Sequence, residues 1–365
     1  MFKLRDSEIA EKIINYIKSR GRKFRFMHVC GTHQDTIVRH GLDEMLLEAN
    51  VEVREGPGCP VCVTTGREIE MMKTLAYKGK IVCVYGDMFR VRVLGKSLES
   101  VKSEGYDVRV VYSVADAVEI AEKNKDKDVV FFGVGFETTA PSTAYSIINS
   151  PDNFYVLSAH RYVPPAMDAL LSLGRIKLDG IILPGHVSTV IGQKPWEFLS
   201  EKYKIPQVIA GFEPLDVLIG IKYLVEMAEN GIWEVRNEYT RAVKYEGNIK
   251  AQKFMDETFE PASIEWRGFP EIPNSWMKIR GKYEDKDALR VFVDELEEVK
   301  NIDIPEPPGC KCGEVIRGEI YPWECPLFGK ACKPSQPVGP CMVSAEGACA
   351  IEYKYGKMWR KFTGK

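Results

Sequence analysis

A chain of 365 residues, 45% hydrophobic and 28% charged, can build two or three cores and has the balance of an ordinary soluble protein. Its formal charge of −2 lacks the basic excess of a nucleic-acid protein, and charge-rich runs such as 122–128 mix both signs and read as solvated surface. No apolar run approaches the ~20 residues that cross a bilayer, which excludes a membrane-spanning helix.

In chain order, residues 1–20 read as an amphipathic charged helix without the apolar core of a signal peptide, which points to a cytoplasmic chain. From residue 24 a strand-then-helix rhythm sets in. Apolar, β-branched strands are expected at 24–30, 81–85, 108–112, 129–134, 154–158, 180–183 and 207–210. Helical spacing falls at 36–49, 68–77, 114–123, 165–173 and 214–230. Alternation of this kind makes parallel βαβ sheets covered on both faces. We expect an α/β fold with two such domains, 24–125 and 126–230, flanking a cleft. The remainder, 1–23 plus 231–365, would form wrapping helices and a C-terminal cysteine-rich domain. Between 231 and 299 the chain is charged and aromatic, broken by Pro261, Pro270 and Pro273, and is expected to fold back on the α/β body.

Ten cysteines in a cytoplasmic chain need an explanation other than a disulfide framework. Cys30, Cys59, Cys62 and Cys83 come early. The other six crowd the tail as C-x-C-x12-C-x6-C-x8-C-x7-C, from Cys310 to Cys349. Zinc modules show paired C-x2-4-C knuckles, whereas wide, irregular gaps suit the four thiolates of a [4Fe–4S] cluster. The expected ligands are Cys325, Cys332, Cys341 and Cys349, leaving Cys310 and Cys312 as a neighbouring dithiol. A structural zinc, or free cysteines, is the alternative, and so is one of Cys310 and Cys312 serving as a ligand.

Three further motifs fall at strand ends, where open parallel sheets bind ligands. In Cys30-Gly-Thr-His33 the thiol precedes a helix whose N-terminal dipole favours the thiolate, and His33 is placed to ligate or move a proton. Gly56-Pro-Gly-Cys59-Pro-Val-Cys62 has the form of a redox dithiol on a tight turn, or of half a metal site. Gly133-Val-Gly-Phe-Glu137-Thr-Thr139 lacks the lysine of a phosphate loop, but it offers Glu137 to a cleft, as Pro184-Gly-His186-Val-Ser188 offers His186. Cys83 reads as core and His40 as surface. His160 and Asp87 are weaker candidates for the cleft.

Taken together, Cys30-Gly-Thr-His33, Gly56 to Cys62, Gly135-Phe-Glu-Thr-Thr139, Pro184 to Ser188 and the tail from Cys310 to Glu346-Gly-Ala-Cys349 resemble the HypD family, in order and along nearly the whole chain. The resemblance implies a metallocentre assembly scaffold for [NiFe] hydrogenase that builds an Fe(CN)2CO unit. Its partner would be HypC, a small chaperone with an N-terminal cysteine, and its cyanide would come from HypE with HypF upstream. It further implies Cys30 as iron ligand with the HypC cysteine, His33 assisting, Cys59 and Cys62 as a dithiol/disulfide pair, and a tail cluster supplying electrons. A thiol–disulfide oxidoreductase acting on other proteins is the competing reading of the same thiols.

Overall fold

The rhythm is present in the computed structural model, which describes residues 6–357. In chain order the parallel strands are β1 (Phe24–His28), β2 (Val51–Glu55), β3 (Ile81–Tyr85), β4 (Val108–Val111), β5 (Val129–Gly135), β6 (Phe154–His160), β7 (Gly180–Pro184), β8 (Gln207–Ala210) and β9 (Val235–Asn237). One sheet has the order β2-β1-β7-β8-β9 and the other β4-β3-β5-β6. The strands with unbroken apolar runs lie inside the sheets. Every residue of β5 is buried, and it pairs with β3 on one side and β6 on the other.

The sheets do not follow the expected division at 125/126. That boundary separates β4 from β5, although both pair with β3. The second sheet is instead one stretch of chain from β3 to β6, set between β2 and β7 of the first. Local apolar patterning marks a strand but carries no label for the sheet it joins.

Other differences have local causes. The single helix expected at 36–49 is two, Gly31–Arg39 and Leu42–Glu48, because Gly41 turns left-handed (φ 67) between them. β2 escapes the apolar criterion because Glu52 and Arg54 interrupt it, and Glu52 pairs with both Arg54 and Arg25. The stretch broken by prolines contains an antiparallel hairpin of β10 (Phe259–Glu265) and β11 (Glu271–Ile279). Pro261 and Pro273 fit there because each strand of a two-stranded ribbon has a free edge where no N–H is missed. The hairpin folds back on β6: the Ser158 hydroxyl donates to the Met277 carbonyl (2.7 Å) and the Trp276 indole to the Ser158 carbonyl (2.9 Å). The N-terminal helix is Ser7–Ser19; residues 1–5 and 358–365 of the expected wrapping segments lie outside the described residues.

Among the described residues no helix is long and apolar enough to cross a membrane. One core cluster runs through both sheets into the tail, taking in Val29, Cys62, Val134, Leu183, Ile316 and Cys341.

Arg161, 1% exposed, joins three parts of this body. Its guanidinium donates to the carboxylate of Glu68 (2.6 Å) and to the carbonyls of Glu265 (2.9 Å) and Ala159 (2.7 Å), and it lies over the Trp266 ring. Arg161→Met would strand the Glu68 carboxylate in the interior at a cost of ~3–5 kcal/mol. Urea unfolding should show a loss of that size. A change below 1 kcal/mol would mean that Glu68 is not held by this pair.

Candidate thiol and metal site

β1 delivers Cys30 to the start of helix Gly31–Arg39, in extended backbone (φ −163, ψ 129). The thiol is 9% exposed, and burial, with the Glu346 carboxylate beside it, pushes it up to about 11. The N–H groups of His33 and Thr32 offset only part of this. The expected thiolate-favouring dipole is therefore outweighed by desolvation and a neighbouring negative charge.

His33 is fully buried. Its Nε2 donates to the Gly211 carbonyl (2.9 Å), which leaves Nδ1 as the unprotonated nitrogen, and Nδ1 has no partner. Burial pulls His33 down to about 4, so its ring is a neutral base. Phe212 stacks on it (4.7 Å) and also on the exposed His186 (3.9 Å), so the two expected histidines share one aromatic ring.

Cys59 and Cys62 form a disulfide. Cys59 caps the short helix Pro60–Val63, with the Cys62 N–H donating to its sulfur (3.2 Å). The two residues are 2% and 1% exposed. Gly58 brings this loop onto the Cys30 loop: a Cβ there would lie 2.3 Å from the Cys30 nitrogen, so only glycine fits. On its other sides Pro60–Val63 packs on β5 and on the tail helices Cys312–Ile316 and Pro340–Val343. Cys30, the disulfide and the tail thiols thus form one contiguous body.

Within the tail, Cys310, Cys312, Cys325, Cys332 and Cys349 line a single enclosed cavity. Cys341, expected among the ligands, does not line it, and its thiol bonds with Cys312 and Cys349 behind it. Gly339 forms the cavity's wall; a Cβ there would fall 2.5 Å from the Cys310 sulfur and 2.6 Å from that of Cys312. Among the described residues no three His, Cys, Asp or Glu side chains already stand in position to hold a metal ion. The tail thiols hydrogen-bond one another instead, and the bond from Cys312 brings Cys310 down to about 7. A cavity whose ligating side chains are all sulfur, with no carboxylate or imidazole, suits a soft thiophilic centre.

Asp87, the weak candidate after β3, closes the arrangement. Its carboxylate accepts from the Ser344 hydroxyl (3.0 Å) and the Ala345 N–H (2.9 Å). The next residue, Glu346, lies against Gly31, where a Cβ would meet the Glu346 carbonyl oxygen at 2.5 Å. Its place after a strand-end Gly86 was the one sequence signal for Asp87. Glu137 is fully buried, accepts from the Val163 N–H (3.0 Å) and is pushed up by burial to about 8. His160 is a core histidine, bonded to Thr143 (3.3 Å) and packed on Phe259. Cys83 is core and His40 exposed, as expected.

The HypD family model, described as the hydrogenase formation hypA family, matches residues 6–356. A protein of Methanocaldococcus jannaschii named for hydrogenase expression/formation is 46% identical over 98% of this chain and 100% of its own. The hydrogenase maturation factors HypD of Cupriavidus necator and Azotobacter vinelandii are 42% and 44% identical, over 97% and 92% of this chain and 96% and 90% of theirs.

Two outcomes test the geometry. Gly58→Ala should cost about 1–3 kcal/mol and change the rate at which Cys30 is alkylated, since the added methyl must displace the Cys30 backbone. An unchanged rate with unchanged stability would mean that the two loops are not in contact. The second concerns His160, held neutral by burial, which pulls it from 6.5 to about 3. Unfolding below pH 6.5 therefore takes up a proton there, so its stabilisation is present above pH 6.5 and lost as pH falls toward 3. Buried carboxyls such as Glu137 run the other way, so the measurement is a difference. Relative to His160→Phe, the unchanged chain should lose stability by up to ~1.4 kcal/mol per pH unit across that window. Parallel pH profiles would mean that His160 is not buried neutral.

Proposed function

The chain belongs to the HypD family of hydrogenase maturation factors, and from that premise we propose that it is a scaffold on which the Fe(CN)2CO unit of [NiFe] hydrogenase is built. The observation that carries this reading is contiguity: Cys30, the Cys59–Cys62 disulfide and the tail thiols touch in sequence through Gly58 and helix Pro60–Val63. Iron is the cargo. Cys30 holds it together with the N-terminal cysteine of HypC, and HypE, charged through HypF, supplies cyanide in the cytoplasm. Soft thiolates suit iron that carries strong-field cyanide and carbon monoxide. His33 Nδ1, left basic by the hydrogen bond at Nε2 and three residues from Cys30, would be the group to take the Cys30 proton or complete the ligand set.

Accepting cyanide from a thiocyanate-type donor consumes electrons. A [4Fe–4S] cluster in the tail cavity would supply them singly, held by Cys325, Cys332 and Cys349 with Cys310, the thiol of lowered pKa, in the fourth place. Cys312 and Cys341, bonded to each other, remain as a dithiol. Their helices both pack on Pro60–Val63. Losing two electrons and two protons to the Cys59–Cys62 bond, they would become a disulfide as that bond opens to two thiols. Opened, Cys59 keeps the Cys62 N–H as a hydrogen-bond donor to its sulfur.

The competing thiol–disulfide oxidoreductase needs a sulfur that a protein substrate can reach, and Cys59 and Cys62 are nearly inaccessible. The scaffold reading is the better supported. Cys30→Ala should abolish the iron–cyanide infrared bands of the complex with HypC while the tail's visible absorption survives. Persistence of those bands would overturn the role of Cys30 as the iron ligand.

A further inference from the structure

In a chain of formal charge −2, exposed cations crowd the two loops that lead into β1 and β7, strands that lie side by side. Arg20, Arg22 and Lys23 precede β1, Arg175 and Lys177 precede β7, and all are exposed. The Asp179 N–H donates to the Arg25 carbonyl (2.8 Å) and ties the loops together. Beside them opens a groove of about 870 Å³, lined by Arg22, Lys23, Arg25 and Lys177 together with Tyr321 and Trp323 of the tail.

The acids of the groove are committed within the chain. Glu52 accepts from Arg25 (2.5 Å), Arg54 (2.6 Å) and the Tyr321 hydroxyl (3.0 Å). Asp179 accepts from the Arg25 N–H (2.9 Å) and from Arg22 (3.3 Å), and Glu324 from the Tyr321 N–H (2.6 Å). Lys23 and Lys177 form no ion pair among the described residues. The groove therefore presents unneutralised positive charge around two stacked aromatic rings, 4.3 Å apart.

Its tail wall leads to the thiol cavity. Trp323 stands in the turn Pro322–Glu324, which ends on Cys325, whose N–H donates to the Pro322 carbonyl (3.2 Å). Two residues apart along the chain, the Cα atoms of Trp323 and Cys325 are within about 7 Å. The same turn packs on helix Ala348–Tyr355, which carries Cys349. Cys325 and Cys349 both line the cavity.

We propose that this groove is the docking site of an acidic one-electron carrier protein, which feeds the tail centre past the turn that ends on Cys325. The inference rests on the scaffold reading above and gives its electrons an entry. In each encounter the carrier's reduced metal centre loses one electron and the tail centre gains it; no bond or proton moves. Two encounters restore the two electrons that opening the Cys59–Cys62 bond consumes. A protein fits better than a small anion, because Arg20 and Arg175, exposed although ion-paired, extend the basic surface past the groove's lining. Redox encounters bury little area and are steered by charge, and a cationic rim about an aromatic centre makes such a surface.

The test uses the full chain, prepared anaerobically with its tail centre filled, and a reduced, acidic [2Fe–2S] ferredoxin as probe. Freeze-quench electron paramagnetic resonance separates the two centres and times the transfer. At low ionic strength the double variant Lys23→Glu, Lys177→Glu should be reduced at least tenfold more slowly, and calorimetry should show weaker ferredoxin binding. Added salt should slow the unchanged chain and narrow the gap. The double variant Lys23→Arg, Lys177→Arg should keep the original rate. Reduction by the methyl viologen radical, a small cation that needs no docking, should be equal in all three. If ferredoxin reduces the glutamate variant at the unchanged rate, the groove is not the docking site and the scaffold reading stands. If reduced flavin mononucleotide binds with this dependence on the lysines and ferredoxin does not, the groove takes a small anion and the carrier proposal falls. If no reductant, methyl viologen included, reduces the filled tail centre, the electron supply of the scaffold reading falls as well.

Discussion

Everything at the reactive end of this protein depends on backbone running against backbone. Gly58 lies on the amide of Cys30, Gly31 lies on Glu346, and Gly347 lies on the Cys341 carbonyl, each too close for a Cβ. These contacts bring a strand end of one sheet, the turn that carries the disulfide and the cysteine-rich tail against one another. A side chain at any of the three would clash with the facing backbone and force the loops apart. Glycine here costs conformational entropy, and the return is a short path between thiols that lie hundreds of residues apart.

Once that packing is set, desolvation governs the chemistry. His28, His33 and His160 are buried and held neutral, Cys30 is held protonated, and Glu137 resists ionising. Such an interior disfavours isolated charge, and a metal cation with its counter-charges is the natural remedy. The resting protein thus holds Cys30 protonated and Cys59 joined to Cys62.

Much of this was legible from residues alone. The rhythm of apolar runs located the seven stronger strands, because strand and helix periodicities are local properties of the chain. β2 and β9 were not legible: short edge strands carrying charges look like loop. The crowding of six cysteines in the tail marked the segment whose thiols gather in space. Their spacing did not say which thiols would face inward, and Cys341, in helix Pro340–Val343, does not line the cavity that the other five line. Cys30 was read as a strand-end thiol, which it is, and as a ready thiolate, which burial and Glu346 oppose. The helix dipole is visible in sequence, whereas the opposing Glu346 comes from the other end of the chain.

The sequence by itself determined the alternating α/β character and the strand-end turns, since each depends on neighbours within one turn or one strand. Tertiary structure alone decided that β3 to β6 form their own sheet within the span of the first. It also decided that Glu137 and His160 are core rather than cleft, and that Asp87 and Glu346 belong with Cys30. Those outcomes turn on contacts between residues far apart in the chain, where burial and charge are set by what packs from the other side.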